Sequence, residues 1–180
     1  MQRRSGACRR RDRRRLAVVV VLDISQFEPA FDIKLGRGWS NAQHEQDLVV
    51  LRRDQGSMTF VSHVQQVFPS GTATTPKDKA RSIIEAMVVT DGISSTKPAA
   101  VKIGGRKGFS IDISPIRGRR VTLFTNPTST FMIEPGQTTR VVVIDVRGSA
   151  VVLVIEPTRQ SDLRAILDTA DDAAGTIRWR

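Results

Sequence analysis

The sequence predicts an α+β fold, a three-layer α/β/α sandwich around a mainly antiparallel sheet of about six to eight strands with two main helices. Three observations predict it. Apolar residues alternate with polar ones along most of the chain, two segments switch to helical spacing, and two consecutive segments are apolar on nearly every residue. Continuous apolar runs are typical of strands that are covered on both faces, so a helix is expected on each side of the sheet.

Alternation and turn residues predict the first strands. Phe31, Ile33 and Leu35 alternate with polar residues and are followed by a glycine-rich turn. Residues 48–51 and 58–64 form two more predicted strands, and residues 53–56 between them have the composition of a hairpin turn.

A first helix is predicted after residue 75. Thr75 is placed to cap it, Pro76 suits its first helical position, and Asp78 completes a capping box. Helical spacing follows, and Asp91 with Gly92 supplies the stop signal. The predicted apolar stripe consists of Ala80, Ile83, Ile84, Met87 and Val88.

Strand patterns resume after this helix. Residues 101–103 and 109–113 flank a glycine-rich turn, and further strands are predicted around residues 121–123 and 131–133. Residues 141–146 and 150–155 are the two continuous apolar runs, and the short turn between them allows only a hairpin. We therefore expect these two strands at the centre of the sheet.

A second helix is predicted to begin at Ser161 and Asp162 and to end at Gly175. Its apolar stripe consists of Leu163, Ile166, Leu167 and Ala170. Ile177 and Trp179, beyond it, are expected to pack back against the sheet.

The net charge of +10 is concentrated in the leader, because residues 1–15 contribute +7 through eight arginines and one aspartate. We predict a disordered basic leader over residues 1–26 and a single domain over residues 27–180. The leader has three interpretations: an unstructured start, an incomplete export signal with its apolar part at residues 16–22, or a nucleic-acid-binding arm. Cys8 is the single cysteine, so no internal disulfide can form.

Candidate reactive groups are few. His44 and His63 are the two histidines, one expected in a polar loop and the other within a strand. Glu45 and Asp47 lie near His44 in sequence, but their spacing is not one that predicts a zinc site. We therefore predict no catalytic residues, no metal and no cofactor.

Acidic residues also cluster near the end of the second predicted helix. Carboxylates at Asp168, Asp171 and Asp172 oppose the helix dipole there, so they are expected to be solvated or to end the helix. Calcium ligation is the alternative interpretation.

A glycine-rich segment at residues 104–108 invites comparison with a phosphate-binding loop. Strand-like residues follow it directly, whereas a phosphate loop opens a helix, so a hairpin turn is predicted. Arg106 and Lys107 in this segment, with Arg117, Arg119 and Arg120 further on, are candidates for a small basic patch. The members predicted to contact an anion or a partner are Arg106, Lys107, Arg119 and Arg120.

The order of these features resembles that of small exported bacterial domains, many of them lipoproteins, with the fold of the PsbP proteins of photosystem II. The match covers most of residues 27–179. The residues that carry it are Phe31-Asp32-Ile33 with Gly38-Trp39, the helix after Thr75-Pro76, the hairpin from Val101 to Phe109, the hairpin from Val141 to Ile155, and Ile177-Arg178-Trp179.

The resemblance implies an antiparallel sheet between helices, export from the cytoplasm to the cell envelope or beyond, and a binding or accessory role without catalysis. It supplies no catalytic residues. The predicted partner is a protein or a small-molecule ligand, and a nucleic-acid-associated protein that uses the arginine leader is the alternative function. No apolar stretch reaches the roughly 20 residues that a transmembrane helix needs.

Overall fold

A computed structural model describes residues 19–77, 79–116 and 118–180. The predictions that concern residues 1–18, Asp78 and Arg117 lie outside the described residues. In chain order the elements are β1 (Val20–Ile24), β2 (Phe31–Leu35), β3 (Ser40–His44), β4 (Leu48–Arg53), β5 (Gly56–Val61), β6 (Gln66–Val67), α1 (Ala80–Val88), β7 (Ile93–Ser95), β8 (Ala99–Ile103), β9 (Arg106–Pro115), β10 (Val121–Thr125), β11 (Thr130–Ile133), β12 (Thr139–Val146), β13 (Ser149–Pro157), a 3₁₀ helix (Gln160–Asp162), α2 (Leu163–Ala174) and β14 (Arg178–Trp179).

Eight strands form the main antiparallel sheet, in the order β3-β4-β5-β13-β12-β9, with β7 and β8 both paired to the outer edge of β9. The strands β12 and β13 are central, as predicted. Between them Arg147 and Gly148 have φ angles of 53° and 93°. A two-residue hairpin turn with both residues left-handed matches the twist of the strands it joins.

The side chains of β12 alternate between two hydrophobic cores, one on each face of the sheet. Val142 and Ile144 lie in the core that α2 covers, whereas Val141 and Val143 lie in the core that α1 covers. The predicted three-layer sandwich is confirmed.

Each outer layer also contains a small sheet that the sequence pattern did not predict. The sheet β1-β2-β14 lies beside α2, and the sheet β6-β10-β11 lies beside α1. The helices have 9 and 12 residues, hence lengths of about 14 and 18 Å. A sheet of this many strands is about 30 Å wide. Because the helices are short, extra strands complete the cover on each face.

The strand β1 lies inside the segment predicted to be a disordered leader. It pairs with β2 in antiparallel register, and Ile24 and Phe27 are each only 1% exposed. Val20 and Val21, in contrast, are 50% and 59% exposed, so only part of the apolar run enters the core. The folded part of the chain therefore begins before residue 27.

The start of α1 differs from the predicted capping box. The helix begins at Ala80, and no side chain caps it from Lys79, the preceding residue. Instead, Oδ1 of Asp145 on β12 accepts a hydrogen bond from the backbone N–H of Ala80 at 2.7 Å. The cap is thus supplied by tertiary structure, although the predicted stripe is buried at Ala80, Ile83, Ile84 and Met87.

The second helix also lacks the predicted side-chain cap. A 3₁₀ turn, Gln160–Asp162, precedes α2, and Asp162 makes no capping hydrogen bond with its side chain. Gly175 follows the last helical residue, as expected, and Ile177 is buried. Within the described residues, neither helix has the length and apolar character that crossing a membrane requires.

Replacing Asp145 by Ala should destabilise the fold by about 1 kcal/mol, because a helix N-terminus loses a side-chain acceptor. The matched control is Thr75→Ala, which we expect to change the stability by less than about 0.5 kcal/mol. Urea denaturation of both variants measures the difference. A larger loss in the Thr75 variant would show that the helix is capped from its own sequence after all.

Candidate functional site

A pocket of about 430 Å³ lies where the chain leaves α1 and enters β10. We call it the Arg119 pocket. Its walls come from three loops that are distant in sequence, and they include Phe68, Asp91, Ile116, Arg119, Arg120 and Val121.

Backbone hydrogen bonds tie these three loops together. The N–H of Ser70 donates to the carbonyl of Val89 at 2.9 Å, and the N–H of Ile116 donates to the carbonyl of Gly92 at 2.6 Å. Such bonds fix the positions of segments that are otherwise irregular. The three loops that form the pocket are therefore held together by backbone hydrogen bonds of the fold itself.

Two of the four predicted contact residues, Arg119 and Arg120, line this pocket. The guanidinium of Arg120 forms an ion pair with Oε1 of Glu134 at 2.7 Å. Arg119 is exposed and forms no ion pair with any residue that the structure describes. Among the described residues, the pocket thus has one arginine that is paired with a carboxylate, Arg120, and one that is not, Arg119. Asp91 also lies on its wall.

The other two predicted contact residues are far away. Arg106 and Lys107 open β9, which has ten residues and a length of about 30 Å. Arg119 and Arg120 follow the opposite end of that strand. The four residues consequently form two separate surfaces, and an anion or partner contact at either remains a prediction.

The glycine-rich segment is a hairpin turn, as predicted, because it joins β8 to β9. Gly104 has a φ of 56° and lies against Trp179, so a Cβ there would come within 2.6 Å of the indole Nε1. That nitrogen donates to the carbonyl of Ile103 at 3.2 Å. The turn is held by the end of the chain and does not open a helix.

Both histidines lie elsewhere than predicted. His44 is the last residue of β3, whereas His63 follows the end of β5 with a φ of 56°. The strand β3 was missed because its sequence is polar except for Ala42 and shows no apolar alternation. The imidazole Nδ1 of His63 is 3.2 Å from Oγ of the buried Ser62.

His63, Glu45 and Asp47 line one open pocket of about 420 Å³ together with Thr128. The Asp47 carboxylate is already engaged there, since its Oδ2 accepts hydrogen bonds of 3.0 Å from Asn126 and from Thr128. These bonds anchor the β10–β11 loop. In the described part of the chain, no three histidine, cysteine or acidic side chains are grouped so that they could hold a metal ion.

The three acids of α2 have different surroundings. Asp171 Oδ2 lies 3.8 Å from Arg140, whose guanidinium forms a bidentate pair with Asp112 at 2.7 and 3.0 Å. Burial raises the pKa of Asp171, and the charge of Arg140 partly opposes that shift. Asp168 and Asp172 are exposed, as expected of solvated helix residues.

A second groove has a volume of about 550 Å³, and Glu134 is part of its wall. We call it the Glu156 groove, and its walls include Arg52, Ser57, Met132, Glu134 and Glu156. Burial, and to a lesser degree the negative charge of Glu134, raise the pKa of the Glu156 carboxyl. A charged carboxylate at this position therefore costs free energy in the folded state.

Replacing Glu156 by Gln should stabilise the protein at neutral pH. When a carboxyl group has a higher pKa in the folded than in the unfolded state, the protein becomes less stable as the pH rises from the unfolded-state pKa through the folded-state pKa. An amide does not titrate, so the Gln variant does not undergo this loss of stability. Below about pH 4 both states hold the proton, so the advantage should vanish. Urea midpoints measured across this range test it, with the exposed Glu85→Gln as control. An advantage that grows toward acid pH would contradict the assignment.

Comparisons with known proteins define the class of fold and no more. No family model and no curated protein matches the sequence. Among solved structures, the chain is similar to cyanobacterial PsbP (CyanoP) from Synechocystis sp. PCC 6803 in solution, with a TM-score of 0.50 and 12% identity over 97% of this chain and 98% of that one. The chain therefore has a PsbP-like fold, which confirms the resemblance seen in the sequence.

Proposed function

We propose that this chain is a non-enzymatic accessory domain that acts outside the cytoplasm by binding a partner protein at the Arg119 pocket. The observation that carries the proposal is the exposed guanidinium of Arg119, which forms no ion pair within the described part of the chain. It lies beside Ile116, an apolar side chain that is 44% exposed. Arginine is enriched at protein contact sites and among the residues that contribute most to their binding energy.

The composition of the two cores supports a role without catalysis. Both faces of the main sheet are filled by apolar side chains such as Val143 and Ile144. The polar groups near His63 are engaged in holding a loop, as the hydrogen bonds of Asp47 show. A catalytic site needs a base free to act on a substrate together with a positioned nucleophile or electrophile.

Site-specific photo-cross-linking in the source cells tests the proposal. A benzoylphenylalanine replaces Ile116 at the pocket rim, and a control replaces Lys102, which is exposed on the β8–β9 hairpin. We expect a discrete protein adduct from Ile116, none from Lys102, and an unchanged adduct when His63→Ala is added. An adduct from Lys102 alone, or a turnover activity that His63→Ala abolishes, would contradict the proposal.

A further inference from the structure

An ion pair at the Arg119 pocket shows which chemical group its arginines can bind. Arg120 holds the carboxylate of Glu134 at 2.7 Å, and both side chains are about half exposed. Arginine pairs with carboxylates through charge-assisted hydrogen bonds. Arg119, the neighbour of Arg120 in sequence, lines the same pocket and has no such carboxylate among the described residues.

The described lining of the pocket carries charges of both signs. The carboxylate of Asp91, whose charge is opposite in sign to those of Arg119 and Arg120, also lines the pocket. A phosphate group carries a charge of about −1.5 to −2 at neutral pH. Compared with a singly charged carboxylate, it would be repelled more strongly by Asp91 and attracted more strongly by the two arginines. The choice between the two anions therefore depends on the apolar part of the wall.

The apolar part of the wall favours a peptide over a free small anion. Phe68, Ile116 and Val121 line the pocket beside the arginines. A volume of about 430 Å³ lies in the lower part of the range of about 300–1,000 Å³ that ligand pockets occupy. A short segment with an acidic and an apolar side chain can use both surfaces at once.

We infer that the Arg119 pocket binds an acidic peptide segment of the partner protein, with a carboxylate on Arg119 and an adjoining apolar side chain against Phe68, Ile116 and Val121. This inference rests on the proposed function, because it names the part of the partner that occupies the proposed site. Glu134 then acts as a competitor, since it occupies the second arginine of the pocket.

A titration of the full chain tests the inference. The probes are a fluorescent peptide, acetyl-Gly-Leu-Asp-Leu-Asp-Gly-amide, the same peptide with Asn in place of Asp, and inorganic phosphate. Anisotropy gives the affinities, and competition with the labelled peptide gives that of phosphate. We expect the Asp peptide to bind at least about tenfold more tightly than the Asn peptide, as the loss of a charge-assisted hydrogen bond implies.

Three variants locate the binding. Arg119→Ala should weaken binding of the Asp peptide about tenfold, Arg106→Ala on the distant hairpin should leave it unchanged, and Glu134→Gln should strengthen it by about twofold to tenfold because Arg120 becomes available. Arg119 and Arg106 are both exposed, so their variants should keep the wild-type thermal midpoint.

Any one of four results would overturn the inference. These are equal binding of the Asp and Asn peptides, an unchanged affinity in Arg119→Ala, a weaker affinity in Glu134→Gln, and tighter binding of phosphate than of the Asp peptide. If the Asp peptide fails while the Ile116 adduct forms, only the chemistry of the partner segment is wrong. If neither the peptide nor the adduct is seen, the proposed function fails as well.

Discussion

Replacing Phe60 by Ala should lower the free energy of unfolding by about 3–5 kcal/mol. Phe60 is fully buried on β5, and its ring centroid lies 4.8 Å from that of Phe31 on β2. Phe31 in turn contacts Phe27 and Trp179, at 5.6 and 5.1 Å between centroids. The aromatic cluster therefore joins the main sheet to the sheet β1-β2-β14. The cavity that Phe60→Ala creates would lie between these two sheets.

Thermal unfolding followed by circular dichroism measures this effect. For a domain of this size, each kcal/mol shifts the midpoint by about 2–4 °C, so a decrease of about 10 °C is expected. Phe60→Leu is the matched control and should cost less than about 1.5 kcal/mol, since it keeps most of the apolar volume. Equal losses in the two variants would show that the cavity is not the cause.

Replacing Gly108 by Ala should cost about 3 kcal/mol, because the added methyl group meets backbone that cannot move independently. A Cβ at Gly108 would lie 2.3 Å from the carbonyl oxygen of Val143 and 3.0 Å from Cα of Ile144. Both atoms belong to β12, which pairs with β9 at this point. Relief of the clash would require the two strands to separate.

Gly36→Ala is the control for this variant. Its Cβ would meet nothing within 4 Å, and its φ is not among the positive ones. We expect this change to be neutral or to stabilise the protein by up to about 1 kcal/mol through the unfolded state. Urea denaturation compares the two variants, and a loss at Gly108 below about 1 kcal/mol would contradict the close contact.

The parts of the fold that follow from local patterns were predictable. The continuous apolar runs of β12 and β13 identified the centre of the sheet, and the stripe from Ala80 to Met87 identified α1. The strand β3 could not be predicted, because its edge position leaves four of its five residues exposed and removes the alternation. The cap of α1 could not be predicted either, since Asp145 is 65 residues away from Ala80 in sequence.

The candidate site was only partly predictable for the same reason. Arg119 and Arg120 were recognisable as adjacent cations, but Phe68 and Asp91 join them only through the folding of three loops. Arg106 lies at the far end of β9 from Arg119 and Arg120, and no local sequence pattern predicts that distance. The role of Asp47 was also hidden, because its partners Asn126 and Thr128 are about 80 residues further along the chain.

The proposal that the chain acts by binding at the Arg119 pocket is tested most directly by the yield of the Ile116 adduct in two charge-reversal variants. Arg119→Glu and Arg106→Glu make the same change in net charge at exposed positions. We predict that Arg119→Glu abolishes the adduct and that Arg106→Glu leaves it unchanged. An adduct that survives Arg119→Glu, or that is lost equally in both variants, would contradict the proposal.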